Sequence, residues 1–144
     1  MFSVMKKSIV LVVLSLVSAV VFAQENLNFK GKIVNDQYQV WIEMDFHEMS
    51  VVVPDQEIFG KVAGYLGAKR DPRKWIVMEA TLESEKTAQM SIINDYGSED
   101  LVATLTRNGD GSYTLKQVSG STMKIVVNGK WLKLPKTLVF KPTA

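Results

Sequence analysis

Polar and apolar positions alternate along most of this chain. From Gln37 to Asp45 every even position is apolar, and every odd position except Trp41 is polar. A period of two belongs to a strand with one buried and one wet face. The same alternation runs through Ile76, Met78, Ala80 and Leu82, then through Ala88, Met90 and Ile92. It continues at Leu101, Ala103 and Leu105; at Tyr113 and Leu115; at Met123, Ile125 and Val127; and at Leu138 and Phe140. Phe29 to Val34 and Met49 to Val53 add two further strands.

Turn chemistry separates these runs. Asn35-Asp36, Glu83-Ser84-Glu85, Asn108-Gly109-Asp110-Gly111, Ser119-Gly120 and Asn128-Gly129 either tolerate positive φ or hydrogen-bond their own backbone. Nine or ten short strands joined in this way make an antiparallel meander. A lone flat sheet of that size would leave its apolar face in water, so it closes into a barrel or folds into a sandwich. The short hairpin connections favour a small barrel of 8–10 strands, with a β-sandwich as the alternative. The segment from Asp55 to Ala68 reads two ways. Ile58, Phe59, Val62, Ala63 and Leu66 share a helical face, but Gly60 and Gly64 would each cost such a helix about 1 kcal/mol. The alternation of Phe59, Lys61, Ala63 and Tyr65 with the glycines favours a strand.

The N-terminus breaks the pattern. Lys6 and Lys7 precede an uncharged apolar run from Ser8 to Phe22, and Val21-Phe22-Ala23 places small residues at −3 and −1 of a cleavage point. These are the three parts of a secretory signal. The run is shorter than the about 20 apolar residues of a membrane span and stops at Gln24-Glu25-Asn26. The expectation is a signal helix over residues 1–23 and one β domain over 24–144. After cleavage that domain would be periplasmic or secreted, without a transmembrane segment. The chain has no cysteine, which excludes disulfides, thiolate metal sites and a lipidated cysteine anchor. About 120 residues bury enough surface to stand without such staples.

The formal charge of +2 includes Lys6 and Lys7, so the exported chain carries 15 basic and 15 acidic residues. From Gln24 to Asp100 there are 8 basic and 14 acidic residues; from Leu101 to Ala144 there are 7 and 1. Such a split marks an electrostatic face unless the meander mixes the two halves. Mixing, with complementary charges pairing across strands, is the expectation. A net charge near zero without a long basic run argues against nucleic-acid binding.

Candidate chemistry is sparse. His47 is the only histidine, has no zinc-protease or serine-hydrolase motif around it, and reads as a turn residue. Glu43 with Asp45, or Glu79 with Glu83, would be the carboxylate pairs of a hydrolase, but their strand positions face water. The cluster from Asn94 to Asp100 offers hard oxygen ligands without EF-hand spacing, and reads first as a turn. No cofactor is indicated. The basic loop from Ala68 to Trp75, with Arg70 and Arg73, closes a hairpin and reads first as a solvated loop; the functional alternative is contact with an anionic partner such as lipopolysaccharide phosphate or an acidic glycan.

The tryptophans carry the sharper signal. Strand parity sends Trp41 outward with Gln39 and Glu43, Trp75 outward with Glu79 and Thr81, and Trp131 outward with Lys133. Exposed aromatic patches mark interaction sites, and flat indoles suit stacking on sugar rings. Alternatively, neighbouring segments cover them, or a bulge reverses the local parity. The leading functional expectation is a non-catalytic envelope protein that binds a glycan or protein through Trp41, Trp75 and Trp131. The runner-up is a barrel carrying a small apolar ligand in a cavity lined by Met78, Met90 and Leu105.

Three runs carry a resemblance: Ile93 to Leu101 (INDYGSEDL), Tyr113 to Gln117 (YTLKQ), and Lys130 to Leu138 (KWLKLPKTL). They resemble an uncharacterised family of small exported β-proteins of Gram-negative gut bacteria, which brings no catalytic residues with it. The meander with Gly129-Lys130-Trp131 also resembles lipocalin-like barrels. Those place a Gly-x-Trp near the first strand, whereas here it lies near the end, so ligand transport is not implied.

Overall fold

The computed structural model describes residues 28–143; the expected signal segment, residues 1–23, lies outside the described residues. The fold is all-β, with strands β1 (Lys30–Asn35), β2 (Val40–Asp45), β3 (Val51–Val52), β4 (Lys61–Val62), β5 (Gly64–Ala68), β6 (Asp71–Leu82), β7 (Thr87–Asn94), β8 (Asp100–Arg107), β9 (Tyr113–Gly120), β10 (Lys124–Val127), β11 (Lys130–Lys133) and β12 (Thr137–Pro142). Eight of them close an antiparallel barrel in the order β1-β12-β9-β8-β7-β6-β5-β2. Two hairpins, β3–β4 and β10–β11, leave the wall as separate two-stranded sheets. The meander is therefore interrupted twice.

An eight-stranded barrel is just wide enough for side chains to fill. Ile33, Ile42, Met90, Leu105, Leu115 and Phe140 are all fully buried inside it. The residual space among Ile42, Leu66, Trp75, Met90 and Met123 is about 10 Å³, room for one water at most. Met90 and Leu105 are thus packed, and Met78 points away from them. At one end Phe29 stacks on Phe46 and meets Tyr113 edge-on, while the Phe29 amide donates to the Tyr113 hydroxyl at 3.1 Å.

The other end is closed by the β10–β11 hairpin. Asn128 and Gly129 both take positive φ (53° and 75°), the conformation a tight two-residue hairpin turn requires. Met123, Ile125 and Leu134 from this hairpin and its flanks join the barrel core. Two buried polar side chains dock it: Asp71 accepts the Val126 amide at 2.8 Å, and Gln117 accepts the Met123 amide at 2.8 Å.

The ambiguous segment from Asp55 to Ala68 resolves into a 3₁₀ turn at Glu57–Phe59 followed by β4 and β5. Its glycines have a packing role. A Cβ on Gly64 would lie 2.4 Å from the Glu43 carbonyl oxygen, and one on Gly67 would lie 2.5 Å from the Trp41 ring. The β3–β4 hairpin folds over the outside of β5 and β6. There Val53, Val62, Tyr65 and Ile76 form a second buried cluster.

Candidate functional site

Parity fails at one tryptophan, and the reason is a bulge in β6. Val77 pairs with Ile92 and Glu79 with Ser91, leaving Met78 without an opposite residue. An extra residue reverses which face each neighbour takes. Inward pointing at Ala80 therefore carries over to Val77 and Trp75, not to Met78 and Ile76. Trp75 is 5% exposed and lies in the core, its Nε1 donating to the Lys124 carbonyl at 3.0 Å. The outward assignment of Trp75 is corrected accordingly. Ile76 faces outward but is buried beneath the β3–β4 hairpin.

Trp41 does face outward. It is half-buried, lies over Gly67 of β5, borders the outer cluster and holds the Lys32 ammonium 5.1 Å from its ring centroid. Trp131 is 58% exposed on the outer face of the β10–β11 hairpin. The three indoles therefore do not form one patch. Arg70 sits in the β5–β6 turn near the Tyr38 carbonyl, away from Trp131.

What the fold does assemble is a cleft of about 210 Å³ between the β10–β11 hairpin, the start of β6 and the β7–β8 turn. Its lining includes Trp131, Arg73, Lys124, Tyr96 and Glu99, with Trp75 reaching it from the core side. Arg73 and Lys124 both approach the Trp131 ring, at 5.1 and 4.9 Å from its centroid. Such contacts orient the indole at modest energetic gain. Across the cleft, Lys124 bridges to Glu99 at 3.4 Å, tying the hairpin to the β7–β8 turn. Arg73 pairs with the buried Asp71 at 3.5 Å. Of the residues expected from sequence, Arg73, Trp75 and Trp131 come together here, while Trp41 and Arg70 stay outside.

The β7–β8 turn is built by its own polar groups. The Asn94 side-chain oxygen accepts the amides of Ser98 and Glu99 at 2.9 and 3.1 Å, and Asp95 accepts the Lys74 amide at 3.2 Å. These oxygens serve the backbone, as Asx turns do. At the tip, Tyr96 is 78% exposed. Sequence reasoning missed Tyr96 and Lys124. The available signal for Tyr96 was an aromatic residue set among five turn-forming ones, a place where no sheet can bury it.

Glu43 and Asp45 hold structural partners. Glu43 accepts the Tyr65 hydroxyl at 2.6 Å. Burial, followed by that bond, raises the Tyr65 pKa above its ordinary 10.0. Asp45 is buried at the end of β2 and accepts from the Ser50 hydroxyl at 2.6 Å and from the His47 and Glu48 amides. The Ser50 bond leads these in holding its pKa below 3.8, against the opposing effect of burial. His47 contacts the Asn28 carbonyl, at the opposite end of the barrel from the cleft. Among the described residues, no group of three or more His, Asp or Glu side chains is placed to hold a metal ion. No helix among them is long and apolar enough to cross a membrane.

No protein-family model, curated protein or solved structure matches this chain.

Proposed function

We propose that this protein is a non-catalytic binding protein that takes a ring of a glycan partner into the Trp131 cleft. The observation that carries the reading is an indole more than half exposed, yet oriented by two cations on a docked hairpin, with a second exposed aromatic across a small cleft. A large apolar ring left in water costs hydrophobic free energy, which partner binding recovers. The volume is below the roughly 300–1,000 Å³ of pockets that engulf a whole small ligand. It suits one ring of a longer chain. Flat aromatics interleaved with Arg73, Lys74 and Ser98 match the alternation of apolar faces and hydroxyl edges on a sugar.

The test is a glycan array probed with the wild-type protein and with Trp131→Ala and Tyr96→Ala. Binding that is lost in both variants, with an unchanged β-sheet circular dichroism spectrum, supports the reading. Hits that survive both substitutions would refute it. A protein partner captured through Trp131, with an array that stays blank, would transfer the cleft to protein recognition.

A further inference from the structure

The β10–β11 hairpin runs from Lys124 to Lys133 (KIVVNGKWLK), and its register decides which backbone groups it uses on itself. Lys124 stands opposite Lys133, Ile125 opposite Leu132, Val126 opposite Trp131 and Val127 opposite Lys130. An antiparallel ladder alternates pairs that exchange hydrogen bonds with pairs that do not. The Leu134 amide donates to the Met123 carbonyl at 2.8 Å, so the bonded pairs are Met123–Leu134, Ile125–Leu132 and Val127–Lys130. The N–H and C=O groups of Lys124 and Val126 therefore point to the outer edge of β10. Those of Trp131 and Lys133 point to the outer edge of β11.

The two edges differ. On β10 the barrel answers the outward groups, since Asp71 accepts the Val126 amide and Trp75 donates to the Lys124 carbonyl. Strand β11 pairs with β10 alone, and no group among the described residues answers the backbone of Trp131 or Lys133. Every residue of β11 is exposed, Trp131 by 58% and Leu132 by 37%. Unpaired backbone groups beside exposed apolar side chains form a template for another strand. Charge narrows which strand it can be. Lys124 and Lys133 are directly opposed, an unfavourable like-charge pair. Glu99 answers Lys124, but neither Lys130 nor Lys133 joins an ion pair among the described residues. The sequence from Gly111 to Ala144 holds no acidic residue, so the hairpin and its flanks cannot supply one.

We infer that the free edge of β11 takes an extended segment of a partner protein as a third strand, with acidic residues against Lys130 and Lys133 and apolar ones against Trp131 and Leu132. The run Lys-Trp-Leu-Lys is answered by acidic, apolar, apolar, acidic, a pattern that reads the same in both strand directions. Main-chain bonds at Trp131 and Lys133 hold the added strand, and the side chains beside them select it. A second β11 fits less well, because each copy brings lysine as its only charged residue; lysines on an edge oppose such self-pairing. The edge is distinct from the proposed glycan cleft. It is built from the main chain of β11, whereas the cleft uses the Trp131 ring and Tyr96.

The probe is the synthetic peptide acetyl-Thr-Glu-Val-Val-Glu-Thr-amide, with the charge-reversed Thr-Lys-Val-Val-Lys-Thr as its comparison. Amide exchange is read residue by residue by NMR, at millimolar peptide. At a peptide concentration about ten times Kd, the Trp131 and Lys133 amides should exchange about tenfold more slowly. The Lys130 and Leu132 amides, already bonded to β10, should not change, and the lysine peptide should slow none of them. Lys133→Pro removes an outward N–H without breaking a bond to β10, and should abolish peptide binding. Lys133→Gln keeps that N–H and should weaken binding only about threefold, the scale of one exposed ion pair. Continued protection of Leu132 shows that the proline variant keeps its hairpin; if it does not, the wild-type exchange pattern decides alone. No slowing at Trp131 and Lys133, or equal slowing at all the β11 amides, would overturn strand addition. Equal binding of the lysine peptide would overturn the acidic partner. Slowing that grows with protein concentration without peptide would overturn the foreign strand in favour of a second copy. Each of these failures leaves the glycan reading intact, because that reading is decided by Trp131→Ala and Tyr96→Ala on the array.

Discussion

Two tryptophans of the same cleft should behave in opposite ways when truncated. Trp75→Ala removes a core ring and the donor to the Lys124 carbonyl, and should cost about 3–5 kcal/mol, lowering Tm by more than about 10 °C. Trp131→Ala removes an exposed ring and should stay within about 0.5 kcal/mol. Thermal melts of the two variants check this, and equal losses would contradict the placement of Trp75. Asp45 supplies a pH test. Its pKa is lowered on folding, chiefly by Ser50, so its stabilisation is complete above the ordinary 3.8 and is lost as pH falls through the lowered folded value. The Tm difference between wild type and Asp45→Asn should therefore shrink as pH drops below about 4. A constant difference from pH 7 to 2 would refute the role of the ionised carboxylate. The outward direction of Trp131 was legible from parity. That of Trp75 was not, because a two-residue period carries no mark of the unpaired Met78.

At the scale of elements, the decisive one is the β10–β11 hairpin, since it both closes the barrel and carries Trp131. Its docking depends on the side chains of Asp71 and Gln117. Asp71→Ala strands the Val126 amide and should cost about 1–3 kcal/mol. Amide exchange at Val126 and its neighbours in β10 should accelerate while β7 and β8 stay protected; uniform acceleration would mean that the barrel, not the hairpin, had loosened. The Asn128-Gly129 turn announced this hairpin in the sequence, but nothing announced that it would leave the wall. That is decided by long-range docking onto Asp71 and Gln117, residues that read locally as ordinary strand positions. The segment from Asp55 to Ala68 was legible as strand only after the glycine cost of a helix was counted. Gly67 adds a packing reason: Gly67→Ala drives a methyl group into the Trp41 ring and should destabilise by about 1–3 kcal/mol.

At the scale of the whole molecule, the barrel is a packed scaffold with distinct outer regions. Its interior is apolar and filled by side chains. Barrel closure was legible because so many half-buried strands have no other way to hide one face. The charge asymmetry could be counted in the sequence but not interpreted. Whether opposite charges meet depends on which strands become neighbours, and β2, beside β1, sets Asp45 opposite Lys30 and Glu43 opposite Lys32. The cleft was likewise out of reach, because it joins Arg73, Tyr96 and Trp131 through tertiary contact alone. Trp131 is the surface that the proposed partner touches. Acrylamide quenching of a Trp41→Phe chain isolates it, since Trp75 is buried and silent to the quencher. Saturation with the strongest glycan from the array should shield the remaining quenchable emission. A glycan that binds at full affinity and leaves that emission equally quenchable would contradict the account.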